Sequence, residues 1–314
     1  MIKFSIERDR LLKALMLVSG AVEKRTTLPV LSNVLFDITE SQLLLSGTDT
    51  EIELQYTLEV TSVEKPGKIT IPAKKLIDIC RSLNDGTEIK FSQQGEKVVI
   101  ASGRSRFNLA TLPADDFPSA KDECPDLEFQ IERQALIHVL QYSHFAMANQ
   151  DVRYYLNGLL IEIIGDALYC VSTDGHRLAI AELKLEQEIQ TSKMILPRKG
   201  CLEMIRLIND VEDEFVLIQQ TENHFLLKTK NTQFVSKLVS GKFPHYRRVI
   251  PTDNDKHFLV DRDLLKKTLS RVSILANEKC RAVTFNVSRI KRPVLSKASA
   301  GLPCSAALKI ELKS

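Results

Sequence analysis

Apolar residues recur at helical spacing in five stretches of the chain, separated by short runs rich in β-forming residues. In the first stretch, Leu11, Leu15 and Val18 fall on one face of a helix. The spacing predicts helices at residues 7–18, 73–83, 132–142, 198–208 and 261–272. The runs between them, bounded by Gly, Asp or Asn, predict antiparallel strands, for example at 34–38, 42–45, 98–101 and 159–163. The pattern therefore predicts an α+β fold.

The sequence of residues 1–125 recurs in diverged form in the next 125 residues. F-S-I-E-R at residues 4–8 corresponds to F-Q-I-E-R at 129–133, and Thr48-Asp49 corresponds to Thr173-Asp174, both at an offset of 125. A period of this length indicates tandem domains rather than a solenoid of small units. Each domain should hold two halves, each of one helix and several antiparallel strands. We expect domain 1 at residues 1–125 and domain 2 at 126–255.

A third copy begins near His257 and is lost after about Val287. It opens with F-L-V-D-R at residues 258–262, and its match to the second copy runs at offsets of 128 to 129. Residues 288–314 hold six Lys or Arg and one Glu and lack the strand pattern of the other copies. We therefore expect residues 256–314 to form an incomplete domain 3. The tail favours a shifted reading frame or a truncated allele over a natural basic tail.

Composition is that of an ordinary globular protein, with 44% hydrophobic and 26% charged residues in 314. Neither a signal peptide nor a membrane span is indicated, so a cytoplasmic location is expected. The six cysteines are scattered without a C-x-x-C pair, which argues against a zinc site and a disulfide scaffold. We expect no metal and no cofactor.

Charge is distributed unevenly. The net charge of +3 consists of +5 in residues 288–314 and −2 in residues 1–287. A protein that holds DNA by charge alone should be more basic than this, so any contact with nucleic acid must be local. Each predicted helix nevertheless carries Lys or Arg on its polar side, including Arg8 in the first and Arg133 in the third. These faces are either ordinary solvated surfaces or a shared basic surface.

The common motifs of enzyme active sites were not found. There is no G-x-x-x-x-G-K-[ST], G-x-G-x-x-G, H-E-x-x-H or G-x-S-x-G string. Asp174 and His176, separated by Gly175, could form an acid and base pair, but no recognisable nucleophile accompanies them. The sequence therefore predicts no catalytic residue, and catalysis through His176 remains a minor alternative.

Several strings of the chain closely resemble the bacterial DNA polymerase III beta subunit family, the replicative sliding clamps. They are T-L-P-V-L-S-N at 27–33, G-R-S-R-F at 103–107, Q-D-V-R-Y-Y-L-N-G at 150–158, T-D-G-H-R-L at 173–178 and F-P-H-Y-R-R-V at 243–249. The resemblance implies the DNA-clamp fold, with sheets outside and helices lining a central hole. It also implies a non-catalytic processivity subunit that encircles duplex DNA without sequence preference.

Two sets of site residues follow from the resemblance. The DNA-facing candidates are Arg25, Lys74, Gln150, Tyr154, Tyr155, Arg198 and Lys199. The two tyrosines could equally be partly core. A cleft for short peptide motifs of the polymerase alpha subunit, the clamp loader and other clamp-binding proteins is implied at Leu156, Thr173, Gly175, His176, Arg177, Leu178, Pro244, Arg248 and Val249. Without the resemblance, Leu156 and Leu178 would be interpreted as core residues.

The family resemblance also implies a ring of two subunits that meet head to tail, domain 1 against domain 3. The alternation of basic and apolar residues at Arg104, Arg106, Phe107 and Leu109 predicts an edge strand at this interface. Ile274 and Leu275 resemble the apolar insert of the opposite subunit. The incomplete third copy argues against such a dimer for this chain, so a monomeric remnant that binds clamp-motif peptides without forming a ring is the alternative function.

Overall fold

The computed structural model describes residues 1–23, 28–119, 123–252, 259–274, 282–288 and 305–311. The chain divides into two compact units, Met1–Tyr246 and Arg247–Ser314. No helix in these ranges is long and apolar enough to cross a membrane. The tandem boundary expected near residue 125 lies inside the first unit and stays a prediction.

All five helices predicted from the apolar spacing are confirmed. They are α1 Arg8–Val18, α2 Ala73–Ser82, α3 Arg133–Gln141, α4 Arg198–Asp210 and α5 Arg262–Ser273. Leu11, Leu15 and Val18 of α1 are fully buried. The periodicity thus located all five helices and, in α1 to α4, the buried faces as well, whereas α5 has no buried residue.

The strands of the first unit form three sheets. In chain order they are β1 Lys3–Glu7, β2 Asn33–Ile38, β3 Gln42–Thr48, β4 Ile52–Glu59, β5 Ser62–Lys65, β6 Gly67–Pro72, β7 Glu88–Gln94, β8 Lys97–Ser102, β9 Ser105–Ala110, β10 Leu127–Glu132, β11 Gly158–Thr173, β12 Leu178–Pro197, β13 Phe215–Gln220, β14 His224–Lys228 and β15 Thr232–Lys237. A five-stranded sheet has the order β5-β1-β7-β8-β9, and β11 pairs with β12 in a two-stranded sheet. All of these pairings are antiparallel, as the strand pattern predicted.

The third sheet joins the two repeats. Its order is β10-β13-β14-β15-β4-β3-β2-β6, so β15 of the second repeat pairs directly with β4 of the first. Phe234 lies opposite Leu54 in this pairing, and both side chains are fully buried. The backbone N–H of Thr57 donates to the carbonyl of Asn231 at 2.8 Å beside it. The two repeats therefore share one hydrogen-bonded sheet and one continuous hydrophobic core.

Helix α4 lies close to this shared sheet and to α1. A Cβ atom added to Gly200 of α4 would lie 2.5 Å from the Ser236 hydroxyl of β15, which explains the glycine at this point of contact. Arg206 of α4 donates from Nη2 to the Leu17 carbonyl at 2.7 Å, near the end of α1. An arginine of the second repeat thus satisfies a carbonyl that helix α1 leaves unpaired.

The basic residues at the start of α1 and α3 have structural partners. Arg8 Nε donates to the Cys80 carbonyl of α2 at 2.7 Å. Arg133 at the corresponding place donates from Nη1 to the Ile208 carbonyl of α4 at 3.0 Å. The interpretation of these helices as uniformly basic surfaces is therefore wrong for Arg8 and Arg133, because each guanidinium reaches the C-terminal turn of the neighbouring helix.

The second unit contains α5 and a pair of strands. The Asp261 carboxylate caps α5 by accepting from the Leu264 N–H at 2.8 Å. Strand β16 Ala282–Ser288 pairs with β17 Ser305–Glu311 in parallel. The tail therefore includes a strand, in which Leu308 and Ile310 alternate with charged residues. Its pairing with β16 is parallel, whereas the strand pairings of the two repeats are antiparallel.

The junction of β4 with β15 should contribute strongly to stability. We expect Phe234→Ala to lower the free energy of unfolding by about 3–5 kcal/mol, because it removes a fully buried ring beside Leu54. Phe215→Ala is the matched control. That ring lies in β13 of the same sheet and is 45% exposed, so its loss should cost less than about 1 kcal/mol. Urea unfolding measures both, and equal losses would contradict the central role of the junction.

Candidate functional site

Lys74 and Lys199 occupy the same position in the two repeats. Each is the second residue of its helix, Lys74 in α2 and Lys199 in α4, at the offset of 125 that relates the repeats. Both side chains are at least partly exposed. The positive end of a helix dipole disfavours a cation at this position, so the dipole does not account for either lysine.

The two lysines differ in their surroundings. Lys199 Nζ forms an ion pair with the buried carboxylate of Asp49 and lies 3.8 Å from Glu23 Oε2. Desolvation lowers the pKa of Lys199, but the hydrogen bond to Asp49 and the charges of Asp49, Glu23 and Glu51 outweigh it and raise the pKa above its ordinary value. Within the described residues Lys74 forms no ion pair. Lys74 is therefore the freer of the two cations for a phosphate ligand.

The other DNA-facing candidates cluster near the loop that precedes β11. Arg198 donates from Nη1 to the Met147 carbonyl at 3.2 Å, and Gln150 has a φ of +59° in the same loop. Tyr154 is 70% exposed, whereas Tyr155 packs partly against a buried cluster. The sequence left open whether the two tyrosines are exposed or partly core. Tyr154 is exposed, and Tyr155 is partly core. Arg25 lies outside the described residues.

A bidentate ion pair stiffens this loop. Arg153 donates from Nε and Nη2 to the two carboxylate oxygens of Asp151, at 3.0 and 2.9 Å. These hydrogen bonds, with one from the Arg153 backbone N–H, lower the pKa of Asp151 to about 2. The Asn157 side chain also bonds to the Asp151 backbone at both N–H and carbonyl. The loop that carries Gln150 and Tyr154 is held by its own side chains.

The turn between β11 and β12 carries most of the predicted peptide cleft. Thr173 Oγ1 donates to the Arg177 carbonyl at 2.6 Å and accepts from the Gly175 N–H at 3.0 Å. Asp174 Oδ1 accepts from the N–H groups of His176 and Arg177 at 2.9 and 3.0 Å. Gly175 has a φ of +89°, which a residue with a side chain rarely adopts. The side chains of Thr173 and Asp174 thus fix the turn.

The first repeat contains the same turn, in which Thr48, Asp49 and Ile52 are buried. Thr48 Oγ1 donates to the Ile52 carbonyl, and Asp49 Oδ1 accepts from the N–H groups of Glu51 and Ile52. Thr50, the counterpart of Gly175, also has a positive φ, +76°. In the first repeat this turn holds Lys199 of the second. The two turns differ in burial at their last position, where Ile52 is buried and its counterpart Arg177 is exposed.

Arg177 connects the exposed turn to an aromatic side chain. Its Nε donates to Asp174 Oδ2 at 3.0 Å, and its Nη2 donates to the Phe145 carbonyl at 2.8 Å. The guanidinium also lies 6.0 Å from the centre of the Phe145 ring, which is 52% exposed. Phe145 was not among the residues predicted from the sequence, because no local motif marks an aromatic residue that becomes a neighbour only after folding.

Beside the turn lies a separate apolar cluster. Its buried members are Leu160, Val171, Ile195 and Tyr246, and Leu178 and Phe243 pack against them. The Tyr246 hydroxyl bonds to Glu162 at 2.5 Å, and Lys193 neutralises the same buried carboxylate at 2.7 Å. This polar contact at the base of the cluster fixes the tyrosine ring in place.

The remaining cleft candidates differ in exposure. Leu156 is 2% exposed, so it supports the surface from below rather than presenting a side chain to a ligand. Leu178 is half-buried, and Pro244 and His176 are exposed. Arg248 and Val249 belong to the second compact unit, where both are exposed. The structure thus brings together Thr173, Gly175, His176, Arg177 and Leu178 in one turn.

The predicted edge strand is confirmed as β9, which ends the five-stranded sheet. Arg104 and Arg106 are exposed, and Phe107 is half-buried against the core. Leu109 is 9% exposed, so a partner chain could cover little of its side chain. Ile274 is 79% exposed after the end of α5, and Leu275 lies outside the described residues.

Comparison with known proteins assigns the whole of this arrangement to one family. Three family models match in order: the N-terminal domain of the DNA polymerase III beta subunit at residues 2–121, the central domain at 130–245 and the C-terminal domain at 247–297. The chain belongs to the DNA polymerase III beta subunit family. The third match extends to residue 297, beyond the loss of repeat register near Val287.

Relatives of this family resemble the chain over most of its length. The beta sliding clamp of Haemophilus influenzae is 43% identical over 285 residues, which cover 91% of this chain and 78% of the relative. That of Escherichia coli K12 is 43% identical over 286 residues with the same coverage, and that of Pseudomonas putida is 46% identical over 287.

Solved structures confirm the predicted fold class. A Pseudomonas aeruginosa sliding clamp bound to griselimycin matches with a TM-score of 0.86 and 46% identity, covering 89% of this chain and 76% of that one. The Caulobacter crescentus beta sliding clamp matches with a TM-score of 0.85 and 38% identity over the same shares. The chain therefore has the α+β fold of the sliding clamps.

Because Lys199 and Lys74 differ in their surroundings, replacing each of them should change the free energy of unfolding by different amounts. We expect Lys199→Met to lower the free energy of unfolding by about 1 kcal/mol at neutral pH, because it leaves the buried Asp49 carboxylate without its cation. Since the pKa of Lys199 is raised, the contribution is present at neutral pH and is lost only as the pH rises through that raised value.

Lys74→Met is the matched control, at the same helix position in the other repeat. It should change the free energy of unfolding by less than about 0.5 kcal/mol. Urea titrations of the two variants at pH 7 give the comparison. Equal effects would show that the ion pair with Asp49 adds nothing to the stability of the junction.

Proposed function

We propose that this chain is a sliding clamp that encircles duplex DNA and tethers the replicative polymerase for processive synthesis. The observation that carries the proposal is the ordered match of three beta subunit domains along residues 2–297. The relatives that it resembles at 43–46% identity bear the name beta sliding clamp. Its role is that of a non-catalytic processivity subunit, in the cytoplasm, with duplex DNA as a sequence-independent partner.

The distribution of charge supports sliding rather than tight binding. Residues 1–287 carry a net charge of −2, and Arg8, Arg133, Lys199 and Arg206 already have internal partners. These four cations are therefore engaged within the protein, whereas Lys74 is exposed and available to a DNA phosphate. Affinity for DNA rises with the number of phosphates neutralised, so a sparse set gives a weak and mobile contact. A protein that holds DNA this weakly stays on it by surrounding it.

We propose that the first compact unit supplies part of the partner-peptide cleft, namely Leu156, Thr173, Gly175, His176, Arg177, Leu178 and Pro244. The turn offers exposed polar groups at His176 and Arg177, and the adjacent cluster around Val171 and Tyr246 is apolar. A short peptide with one anchoring apolar side chain and polar neighbours fits this chemistry. Arg248 and Val249, which belong to the second unit, stay predictions from the family resemblance. Clamp-motif segments of the polymerase alpha subunit and the clamp loader are the proposed ligands.

Retention on circular DNA tests the clamp function. The full chain is loaded with a bacterial clamp loader and ATP on a nicked circular duplex, and half of the sample is then linearised. We expect the chain to stay at least about tenfold longer on the circle, because sparse cations alone cannot hold it on DNA with free ends. Gel filtration of labelled protein measures this. Equal retention on both templates would contradict encirclement, as the monomeric remnant would show no preference.

The turn should control peptide affinity. We expect Asp174→Ala to weaken binding of a labelled polymerase clamp-motif peptide about tenfold, because the carboxylate that orders His176 and Arg177 is lost. Asp166→Ala is the matched control, since Asp166 is exposed elsewhere on the same hairpin and pairs loosely with Lys184 at 3.5 Å. Fluorescence anisotropy measures both. Equal affinities of the two variants for the peptide would contradict its binding at this turn.

A further inference from the structure

The second repeat buries a tyrosine where the first repeat buries a phenylalanine. Phe117-Pro118 corresponds to Phe243-Pro244 at an offset of 126. Phe117 is 7% exposed and belongs to a small buried cluster, whereas Phe243 is only partly buried and Pro244 is exposed. Tyr246, three residues after Phe243, is 6% exposed and is a buried member of the corresponding cluster in the second repeat.

The strand residues under these two clusters differ in polarity. In the first repeat Leu35 has Ser46 directly opposite it in β3 and Thr70 directly opposite it in β6, and both polar side chains are buried. In the second repeat the same three positions, at the offset of 125, are all apolar: Leu160, Val171 and Ile195. Burial of apolar surface is favourable, so the second repeat can cover this area with a further aromatic ring.

Two charged side chains hold the tyrosine at its hydroxyl end. Glu162 of β11 lies directly opposite Lys193 of β12, with 2.7 Å between Lys193 Nζ and Glu162 Oε1. The Tyr246 hydroxyl donates to the other carboxylate oxygen, Oε2, at 2.5 Å. The Glu162 side chain is 2% exposed, whereas that of Lys193 is 64% exposed. A hydrogen bond to a charged acceptor is stronger than one between neutral groups, so this contact fixes the ring.

The first repeat contains the same ion pair. Lys68 lies opposite Asp37 in the pairing of β6 with β2, at the offset of 125 from the ion pair of the second repeat. Lys68 Nζ is 2.8 Å from Asp37 Oδ2, and the Asp37 side chain is 25% exposed. In the sequence, Ala120 stands at the place of Tyr246. The ion pair is therefore common to both repeats, and the tyrosine is added to it in the second.

The surface next to each turn follows the same division. Leu178 packs against the apolar cluster of the second repeat. Its counterpart in the first repeat is Glu53, a buried carboxylate that accepts from the Gln55 side chain at 2.7 Å. With Phe117 buried as well, the described part of the first repeat lacks the apolar surface that Leu178 and Phe243 give to the second.

We infer that Tyr246, held by Glu162 and Lys193, is a positioning residue of the proposed partner-peptide cleft. Because the tyrosine occupies the buried place, Phe243 and Pro244 stay at the surface and form an apolar wall next to the β11–β12 turn. Phe243 thereby joins the cleft residues, as a surface for an anchoring aliphatic or aromatic side chain of the peptide. This inference rests on the function proposed for the cleft.

Peptide affinity of the full chain tests this role. We expect Tyr246→Phe, which removes only the hydroxyl, to weaken binding of a labelled polymerase clamp-motif peptide about fivefold, because the ring loses its hydrogen bond to Glu162. Lys193→Met should weaken binding by a similar factor, since the accepting carboxylate loses the cation opposite it. Lys193→Arg keeps a cation there and should bind within about twofold of the wild type. Fluorescence anisotropy measures all three affinities.

Lys68→Met is the matched control, at the corresponding strand position of the first repeat. It removes the same kind of cross-strand ion pair but should leave the peptide affinity unchanged. Urea unfolding of Lys68→Met and Lys193→Met separates the two roles. A purely structural ion pair changes the free energy of unfolding alone, whereas a positioning role also changes the affinity at a temperature where both variants are folded.

Three results would overturn the inference and leave the cleft in place. Tyr246→Phe could bind the peptide as tightly as the wild type, Lys193→Met and Lys68→Met could change the affinity equally, or Lys193→Arg could lose as much affinity as Lys193→Met. A wild-type chain that does not bind the peptide would contradict the proposed cleft itself, and the inference with it. Failure of the positioning role and failure of the cleft are therefore distinguishable.

Discussion

The pairing of β15 with β4 is the interaction on which the rest of the first unit depends. It converts two repeats, each with open strand edges, into one eight-stranded sheet with a common core. Once Phe234 lies against Leu54, α4 is close enough to α1 for Arg206 to reach the Leu17 carbonyl, and Lys199 is close enough to the Thr48–Asp49 turn for its ion pair. The helix contacts between repeats thus follow from the strand contact.

Duplication placed the same residues in two environments. Asp49 is buried at the junction and pairs with Lys199, whereas Asp174 is partly exposed and pairs with Arg177 of its own turn. The lysine pair shows the same division, since Lys199 faces three carboxylates and Lys74 forms no ion pair in the described part of the chain. One copy of each element therefore stabilises the junction between the repeats, whereas its counterpart takes no part in that junction.

The helices, the repeat and the edge position of β9 could be predicted from the sequence because each leaves a local or periodic signal. Leu11, Leu15 and Val18 give the period of a helix regardless of what packs on it. The partners of Arg133 and Lys199 could not be predicted in this way. A basic residue on the polar side of a helix has the same sequence pattern whether it faces solvent, DNA or the carbonyls of a neighbouring helix, and only tertiary structure decides among these. The pairing of β4 with β15 has no local signal either.

Several cations that the sequence pattern places on helix surfaces are bonded within the protein, and this affects how the chain can hold DNA. Arginines and lysines that bond to helix ends and buried carboxylates add to the rigidity of the sheet and helix layers, but they no longer attract phosphates. Because residues 1–287 also carry a net charge of −2, ionic attraction alone gives a weak hold on DNA. A protein that surrounds DNA does not need a strong ionic hold to remain bound, so the same cations can serve the stability of the fold instead.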